Sequence, residues 1–495
     1  MKQNRAVTFL TLAAAASSVT AALSTSSTAC DRLASLFSEI TLFPNSTNYT
    51  TQATNFWDKR SDLDPTCIFL PENADHVVSA VKIFHQEDAE FSIRGGGHMN
   101  YPGSNNIDNG VLVALSGLSK STVFANGNQS TIAVGPGNKW VDVYTALDPY
   151  GLYTIGGRLK TIGVPGLSLI GGFHYFNNKY GWTMDNVVSY DIVLGNGTLI
   201  TANRSSHNDL FWALKGGANN FGIVTNFVLR AYEIPKISVQ VQTWNESAVP
   251  DFIKAVCDFA ENDDPSIGAG AVITIQYNAT TKVVTPSLLG VQEGLESPPS
   301  RFRKFASIPA LQTFQNVTTP LQWASTLDTP NQMFRVQFAH HTMKPDADQL
   351  YQLYKIWKDA VDQIADVQGL YPTFVMNAMP KSANTIAKTN RVGNTWGLDD
   401  DQSWILFQTS TAWDLPEDDL RMTAWSKSLI AHLHSLNQKK GIASDFLYIG
   451  DSGEFQDPFA AFPAKNVQRM KAIRSKYDPD KVFQRLNWGG FKLGF

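Results

Sequence analysis

The amino-acid sequence predicts an α+β protein, and three observations support that fold class. Strand-like and helix-like segments alternate from about Pro65 onward, and Gly or Pro bounds many of them. After about Ile234 glycine becomes less frequent, and alternating strands mix with long helices. The chain has 495 residues, more than one simple core accommodates. We therefore expect two domains, the second being a sheet with helices on one side.

The elements of the first half are short. Residues 71–87 open with Pro and acidic residues and space their apolar residues along one helix face. Two apolar runs flank Gly195-Asn196-Gly197, which is a strong hairpin signal. Further strands are predicted at 91–93, 111–115, 131–134 and 222–229, with helical segments at 139–147 and 209–215.

The second half has longer elements. Helices are predicted over 346–367 and 421–436, because their apolar residues recur at helical spacing. Strands are predicted at 238–243, 271–276 and 334–338. No internal repeat is visible.

The N-terminus predicts export from the cell. Lys2 and Arg5 give a basic start, and Ala6 to Ala22 form a short run of apolar and small residues. The run is too short and too rich in Ala, Ser and Thr to predict a membrane span, and no later segment predicts one. We interpret residues 1–22 as a signal peptide and expect a protein that is secreted or enters the secretory pathway.

Sequons for N-glycosylation support the same interpretation. The tripeptide Asn-x-Ser/Thr is weak evidence alone, but many copies beside a signal peptide predict a secreted glycoprotein. The sequons begin at Asn45, Asn48, Asn128, Asn196, Asn203, Asn245, Asn278 and Asn316.

The three cysteines allow at most one disulfide within the chain. Cys30 and Cys67 lie near the start of the mature chain and are the predicted pair. Cys257 then remains, and we expect a buried thiol because nothing around it indicates a nucleophile.

Composition excludes some partner classes. A net charge of −4 and a pI near 6.1 give no reason to expect nucleic acid as a partner. Aromatic residues make up 11% of the chain, which mildly favours a site for a flat or apolar ligand.

Glycines are spread over many predicted loops instead of forming one phosphate motif. The sequence contains no G-x-x-x-x-G-K-[ST], and no G-x-G-x-x-G lies between a strand and a helix. A P-loop and the dinucleotide-binding Rossmann signature are therefore both excluded. One long cofactor lying across several loops would explain this distribution, since bare backbone N–H groups bind phosphates well.

Taken in order, the glycine-rich motifs are much more specific than any one of them. Arg94-Gly95-Gly96-Gly97-His98 comes first, and Tyr477-Asp478-Pro479 comes last. Between them lie the segments 163–172, 180–187, 209–217 and 220–225. This series resembles the FAD-linked oxidases of the vanillyl-alcohol-oxidase superfamily, in particular the berberine-bridge-enzyme-like branch, including its fungal secreted members.

The resemblance covers nearly the whole mature chain and implies a domain plan. It implies an FAD-binding domain of two subdomains over 23–235 and an inserted substrate domain over 236–454. In this plan the substrate domain is an antiparallel sheet flanked by helices. The C-terminal segment 455–495 would return to the FAD domain.

The resemblance also implies the cofactor and its ligands. Arg94 to His98 match the pyrophosphate loop, and His98 matches the histidine that is bonded to the flavin 8α-methyl group. A second tether in some relatives is a cysteine, but Leu159 stands at its position here, so one covalent link is expected. The other FAD-binding residues implied are Gly135, Gly137, Gly163, Gly166, Gly172, Gly222, Ile223 and Val224.

The catalytic base is less certain because the sequence departs from the family pattern. Relatives often carry Tyr-x-Asn-Tyr, whose second tyrosine is the base. This chain has Tyr448-Ile449-Gly450-Asp451, which places a carboxylate at the base position. Asp451 is therefore one candidate base and Tyr448 the other. The alternative interpretation of Asp451 is a surface carboxylate in a loop shifted by one or two residues.

Other motifs carry weaker hypotheses. Gly450-Asp451-Ser452-Gly453 imitates a trypsin-like nucleophile loop, but the sequence lacks the histidine segment that such a site requires. His340 and His341 are adjacent in a predicted strand and point to opposite faces, so they predict no metal site. One of the two is expected to face the substrate cavity, and His174 is a candidate to line the flavin site.

The resemblance and the altered base motif together predict an oxidase. A hydride would pass from a substrate C–H bond to FAD and the electrons then to O2, with Asp451 or Tyr448 accepting a proton. A small secondary metabolite, such as an alcohol or a phenolic or polyketide intermediate, is the expected substrate. The alternatives are a flavin-bound cyclase with little net redox chemistry, a carbohydrate oxidase, and a flavin-containing binding protein.

Overall fold

The computed structural model describes residues 25–328 and 334–494, and the predicted signal peptide lies outside them. It confirms the α+β class. The helices are α1 (25–36), α2 (Thr47–Ala53), α3 (Ala74–Glu87), α4 (Trp140–Leu147), α5 (Val164–Ile170), α6 (Asn177–Tyr180), α7 (Asn208–Ala213), α8 (Val249–Glu261), α9 (Arg303–Ala306), α10 (Pro320–Thr326), α11 (Ala347–Asp362), α12 (Lys381–Thr389), α13 (Asp419–Lys440), α14 (Ala464–Tyr477) and α15 (Val482–Arg485).

The strands form three sheets and one two-stranded ribbon. They are β1 (Thr41–Leu42), β2 (Cys67–Phe69), β3 (Phe91–Arg94), β4 (Val111–Ala114), β5 (Ser121–Phe124), β6 (Thr131–Val134), β7 (Leu152–Tyr153), β8 (Val187–Val193), β9 (Leu199–Asn203), β10 (Ile223–Arg230), β11 (Tyr232–Glu233), β12 (Ile237–Thr243), β13 (Ala269–Asn278), β14 (Val283–Glu293), β15 (Gln312–Thr318), β16 (Arg335–Met343), β17 (Tyr371–Met379), β18 (Trp404–Trp413) and β19 (Ala443–Ser444).

The first sheet positions the glycine-rich loop. Its strand order is β1-β2-β4-β3, and β3 runs parallel to β4. Helix α3 packs on this sheet through Val77, Val81 and Phe84, which are fully buried. Because the triple-glycine loop follows directly from β3, the sheet fixes where the loop begins.

The second sheet is antiparallel and contains the predicted hairpin. Its order is β5-β6-β10-β8-β9, and β8 and β9 pair across Gly195-Asn196-Gly197. Gly197 has φ +76°, a left-handed conformation that favours glycine at this turn. The ribbon consists of β7 and β11.

The C-terminal segment packs against the first sheet. Asn487 forms a parallel bridge with Phe91, and the Trp488 N–H donates to the Phe91 carbonyl at 2.7 Å. Val482 and Phe483 lie in the same apolar core as α3. The domain boundaries themselves stay a prediction.

The third sheet has eight antiparallel strands in the order β15-β12-β14-β13-β17-β18-β16-β19. Helices α8, α11 and α13 pack on one face, burying Phe374, Met376 and Phe407 among others. Successive residues of a strand point to opposite faces, so the residues next to these, Val375, Asn377 and Gln408, face the other side. That other face is where the sheet meets the glycine-rich loops.

The predicted cysteine pairing is present. Cys30 of α1 and Cys67 of β2 form a disulfide with an S–S distance of 2.01 Å, and Cys257 is buried. Burial raises the pKa of the Cys257 thiol to about 12, so the thiol stays protonated and unreactive at neutral pH.

No helix in the described ranges is long and apolar enough to cross a membrane. Seven of the eight sequon asparagines are exposed and Asn203 is half-buried, so the surface leaves room for glycans. Glycosylation stays a prediction.

Candidate active site

A cavity of about 430 Å³ lies between the glycine-rich loops and the open face of the eight-stranded sheet. The loops contribute Gly95 to His98 and residues 157–170. The sheet contributes Val272, Phe338, Val375, Asn377, Gln408 and Ser410, and the loop after β19 contributes Tyr448 to Asp451. The volume is in the range of small-molecule and cofactor sites.

The triple-glycine loop is bare because it packs on other backbone. A Cβ on Gly96 would lie 2.3 Å from the Gly163 N, and one on Gly97 would lie 2.8 Å from the Asn55 O. Gly97 also has φ +70°. A side chain fits at neither position, because the neighbouring atoms are backbone and cannot rotate away. The cavity wall here therefore consists of peptide groups, which suits close approach of a phosphate.

His98 extends this wall into the cavity. Its ring stacks on Trp57 with centroids 5.6 Å apart and planes at 14°, and its buried Nε2 makes no hydrogen bond within the described residues. Burial, assisted by the charge of Lys139, lowers the pKa of His98 to about 4. The imidazole is therefore neutral at physiological pH and keeps a nitrogen lone pair.

Arg94 lies beneath the loop and does not line the cavity. Its Nη2 donates to the Gln52 Oε1 at 2.9 Å, whereas the buried Nη1 has no partner among the described residues. Burial lowers the pKa of the guanidinium to about 10, which still leaves it charged at neutral pH. An unpaired buried donor beside bare peptide groups is suited to an anionic ligand.

Asp451 lies half-buried in the cavity wall and is not a surface carboxylate. Asn377 Nδ2 lies 3.4 Å from its Oδ2. Burial raises the pKa of the carboxyl to about 6, while the nearby Arg158 guanidinium opposes that shift. A carboxylate that titrates near 6 is ionised at neutral pH and can accept a proton.

Arg158 is the residue that sequence reasoning missed. Its Nη1 donates to the Ala271 O at 3.2 Å and to the Asn377 Oδ1 at 3.1 Å. Asn377 thus joins the cation to the carboxylate of Asp451. Arg158 and Asp451 are the two charged side chains along the described cavity lining. The available signal in the sequence was an arginine directly after Gly156-Gly157, in a glycine-rich loop.

Tyr448 is buried beside Asp451. Burial, strengthened by the charge of Asp451, raises the pKa of its phenol well above the usual range. Gly450 leaves room for this ring, because a Cβ there would lie 2.9 Å from the Tyr448 hydroxyl. The phenol stays protonated at neutral pH, so Asp451 is the better candidate base.

The expectation that one of His340 and His341 faces the cavity is wrong. The two rings do point to opposite faces of β16, as strand geometry requires. His340 projects from the cavity face, but the Tyr448–Ser452 segment covers it, and its Nε2 accepts from the Tyr448 N–H at 3.0 Å. His341 stacks on His434 of α13 with centroids 3.6 Å apart.

Ser452 also lies close to His340. Its Oγ is 3.2 Å from the His340 Nε2, but it is fully buried and donates to the Tyr448 O. The His340 Nδ1 has no partner among the described residues, so the carboxylate of a catalytic triad is missing. No cluster of potential metal ligands occurs in the described part of the chain either.

His174 does not line the large cavity, contrary to expectation. Its Nε2 lies 3.0 Å from the Tyr153 hydroxyl, and its Nδ1 accepts from the Phe176 N–H. The ring borders a second cavity of about 30 Å³, and Arg158 lines both cavities. Gly171 and Gly172, which separate α5 from the His174 segment, have φ values of +122° and +91°.

The structure brings together only part of the predicted cofactor set. Gly95, Gly96, Gly97, His98, Gly163 and Gly166 line the cavity. The remaining predicted ligands lie outside its lining: Arg94, Gly135, Gly137, Gly172, Gly222, Ile223 and Val224. Gly222 packs on the Val193 carbonyl and Ile192, and Ile223 and Val224 are buried in β10. Their contact with the cofactor stays a prediction.

Comparisons with known proteins identify the class. Residues 65–203 match the family described as FAD binding domain. The chain is 31% identical to the FAD-dependent monooxygenase prx3 of Penicillium roqueforti, over 94% of this chain and 93% of that protein. It is 30% identical to the bifunctional solanapyrone synthase of Alternaria solani, over 87% and 82%.

Solved structures agree with the fold. The xylooligosaccharide oxidase of Myceliophthora thermophila C1 superimposes with a TM-score of 0.76 at 19% identity, covering 93% of this chain and 99% of that one. The glucooligosaccharide oxidase of Acremonium strictum gives 0.74 at 18%, covering 93% and 98%. The chain is therefore an FAD-dependent oxidoreductase. By its fold alone, the chain also resembles the BBE-like 1 protein of Physcomitrella patens, which superimposes with a TM-score of 0.74 at 19% identity, covering 92% of this chain and 98% of that one.

Proposed function

We propose that this chain is a secreted oxidase that holds FAD covalently through His98 and oxidises a small, largely apolar organic molecule. Alcohols and phenolic or polyketide intermediates of secondary metabolism are the proposed substrates, with O2 as electron acceptor. The observation that carries the proposal is one cavity lined by both the neutral His98 imidazole and the Asp451 carboxylate.

The residues present fit the cofactor. Gly96 and Gly163 approach so closely that no Cβ fits between them, and they leave peptide groups facing the cavity. Arg94 Nη1 and His98 Nε2 are buried polar atoms that have no hydrogen-bond partner among the residues the structure describes. When bound, the FAD would accept a hydride from a substrate C–H bond and pass the electrons to O2.

The chain's own residues would then divide the work. The glycine loop would bind the pyrophosphate, and the His98 ring would hold the flavin. Asp451 would take the proton from the substrate O–H or N–H, and the Arg158 guanidinium would keep Asp451 ionised. Tyr448 would act as a hydrogen-bond donor.

The lining supports an apolar substrate. The sheet contributes three apolar residues, Val272, Phe338 and Val375, and three polar ones, Asn377, Gln408 and Ser410. The loops add mainly apolar side chains, among them Leu159, Leu167 and Phe173. Few convergent polar groups in an apolar wall fix the orientation of an apolar ligand, whereas a sugar ring needs a partner for each hydroxyl. We therefore favour an alcohol or phenol over a carbohydrate.

A single tether is proposed because Leu159, and no cysteine, lines the cavity where a second tether would lie. The solved glucooligosaccharide oxidase carries a 6-S-cysteinyl, 8α-N1-histidyl FAD. In this chain, His98 would form the single covalent link to the flavin.

Acid precipitation of the purified protein tests the tether. Yellow colour should stay with the wild-type pellet and be lost from the His98→Ala pellet, with the Cys257→Ser pellet as a matched control that stays yellow. A colourless wild-type pellet would refute the tether.

Peroxide release and flavin bleaching test the reaction. A panel of polyketide alcohols, phenols and oligosaccharides should give both signals with an alcohol or phenol. Conversion without either signal would favour a cyclase, the second candidate, which the altered base motif and a bifunctional synthase among the relatives support.

Secretion is supported by the N-terminal pattern, the exposed sequons and the disulfide. Intact mass of protein from culture medium, before and after enzymatic removal of N-glycans, should show a chain shortened near Ala22 and a mass decrease. An unshortened intracellular chain would contradict this part.

A further inference from the structure

A short segment between strands β1 and β2 connects the walls of the cavity. It contains Trp57, Asp58 and Arg60, and no motif in the sequence marked it. The Trp57 N–H donates to the Gly97 carbonyl at 2.9 Å, which attaches the segment to the triple-glycine loop. The Lys59 N–H donates to the Phe334 carbonyl at 2.9 Å, which attaches the segment to the residue just before β16 of the third sheet.

Trp57 is the ring that orients His98. It lies between two side chains of the cavity, stacked on His98 at 5.6 Å and tilted against Phe338 at 5.5 Å. The outer torsion of a histidine side chain is soft, so a ring that lacks hydrogen bonds takes its orientation from packing. His98 Nε2 has no hydrogen-bond partner within the described ranges, so packing against Trp57 contributes to the orientation of the ring.

Arg60 joins three parts of the site through one guanidinium. Its Nη2 donates to the Asn100 O at 2.7 Å, two residues beyond His98. Its Nη1 donates to the Gln337 Oε1 of β16 at 3.0 Å and to the Glu454 Oε1 at 2.9 Å, three residues beyond Asp451.

Asp58 completes the network. Its carboxylate accepts from the Arg60 Nε at 3.0 Å and from the Val336 N–H at 3.2 Å. Both charged side chains are almost fully buried, with 5% of the Arg60 side chain and 0% of the Asp58 side chain exposed. Burying a charged pair is costly, and several hydrogen bonds to backbone and amide groups offset that cost. The rigid arginine fork suits such a junction, because it makes several bonds at fixed angles.

We propose that the segment Trp57–Arg60 is a positioning unit, in which Trp57 orients the His98 ring for its bond to the flavin and Arg60 sets the His98 loop against the Asp451 loop. This rests on the proposed function. The attachment joins a His98 nitrogen to the flavin 8α-carbon. One methyl hydrogen and the ring N–H proton leave, and two electrons reduce O2 to H2O2.

The first test measures attachment and not turnover. Each variant is incubated with FAD and O2, and the flavin retained after acid precipitation is followed over time. Trp57→Leu should attach flavin roughly tenfold to a hundredfold more slowly than wild type, since a small misplacement of a reacting group costs that much. Trp57→Phe keeps a stacking ring and should recover most of the rate.

Trp425→Leu is the matched control, because Trp425 is also half-buried but packs on α11 far from the cavity. Equal slowing in Trp57→Leu and Trp425→Leu, or a wild-type rate in Trp57→Leu, overturns the role of Trp57. If Trp57→Leu does not fold, Trp57→Met against Trp425→Met decides in the same way, because methionine also removes the stacking ring. Wild-type protein that releases its flavin in acid refutes the proposed tether itself, so the two failures are distinguishable.

The second test addresses Arg60 through the pH profile of substrate oxidation. Arg60→Met should move the acidic limb set by Asp451 and slow flavin attachment as well, because both loops lose the same anchor. Arg335→Met is the control, because it breaks a half-buried ion pair between Arg335 of β16 and Asp419 of α13. It should change neither the pH profile nor the rate of flavin attachment. An unmoved limb and an unchanged attachment rate in folded Arg60→Met would overturn the proposal.

Discussion

The two walls of the cavity are built from different parts of the polypeptide. The wall around Gly95 to Gly97 presents backbone, and its shape depends on the absence of side chains. The wall around Asp451 presents side chains from β13, β16, β17 and β18, and its chemistry depends on the Asp451 carboxylate and on Arg158, which Asn377 connects to it. The first wall therefore accepts almost no substitution, whereas the second can change its reaction without changing its fold.

A break in the backbone wall should have the largest effect. Gly96→Ala places a methyl group 2.3 Å from the Gly163 N, so the loop must move and flavin binding should be lost almost completely. Bound flavin per chain, measured by absorbance, checks this. Gly166→Ala is the companion variant, because nothing lies within 4 Å of its added Cβ. It should fold normally, and any flavin loss there reports contact with the cofactor. Full flavin content in Gly96→Ala would contradict the conclusion that the backbone wall tolerates no side chain at this position.

The next largest effect is expected on the side-chain wall. Asp451→Asn removes the proposed base and should lower kcat/KM roughly 10²- to 10⁴-fold, with unchanged flavin content. Steady-state kinetics and flavin absorbance of the same sample check this. Asp445→Asn, an exposed carboxyl six residues earlier, is the control and should retain wild-type rates. A rate within a few-fold of wild type for Asp451→Asn would transfer the role to Tyr448, which Tyr448→Phe would then test.

Arg158 should give a smaller, pH-dependent effect. Its charge lowers the burial-raised pKa of Asp451, which is about 6. The base form exists above that pKa, so Arg158→Met should raise the pKa and shift the acidic limb of kcat/KM to higher pH. A shift of one pKa unit lowers the rate about tenfold on that limb and much less at high pH. Arg158→Lys should leave the limb nearer its wild-type position. A shift to lower pH would contradict the assignment.

The smallest effect is expected for a polar group that only orients substrate. Gln408→Met should raise KM by about fivefold for hydroxylated substrates, the loss typical of one neutral hydrogen bond. Gln315→Met on the exposed strand β15 is the control. If Gln408→Met raised KM equally for substrates with and without an additional hydroxyl group, Gln408 would not bind that hydroxyl.

Much of the backbone wall was predictable from local sequence. The triple glycine after a strand indicated close approach of peptide groups, and the order of the glycine motifs identified the family and fold. The hairpin at Gly195-Asn196-Gly197 and the Cys30–Cys67 pair were also predicted, since a turn type and a cysteine count are local or composition-based signals.

The predictions that His174 and one of His340 and His341 line the cavity were wrong, and the reason lies in tertiary packing. Strand alternation correctly separated His340 from His341, but alternation says nothing about which loop covers a sheet face. The segment after β19, more than 100 residues away in sequence, covers His340. His174 was misplaced because its position depends on how the Gly171-Gly172 turn packs.

The sequence by itself determined the cofactor class, the fold and the candidate base Asp451, because glycine-rich loops and the order of motifs are written along the chain. Only the tertiary structure decided that Asp451 lies in the cavity wall near Arg158, and that Trp57 and Arg60 connect His98 with the sheet. A pKa depends on burial and on charges within a few ångströms. Residues such as Arg60, Gln337 and Glu454 come within that distance only when the domains pack together.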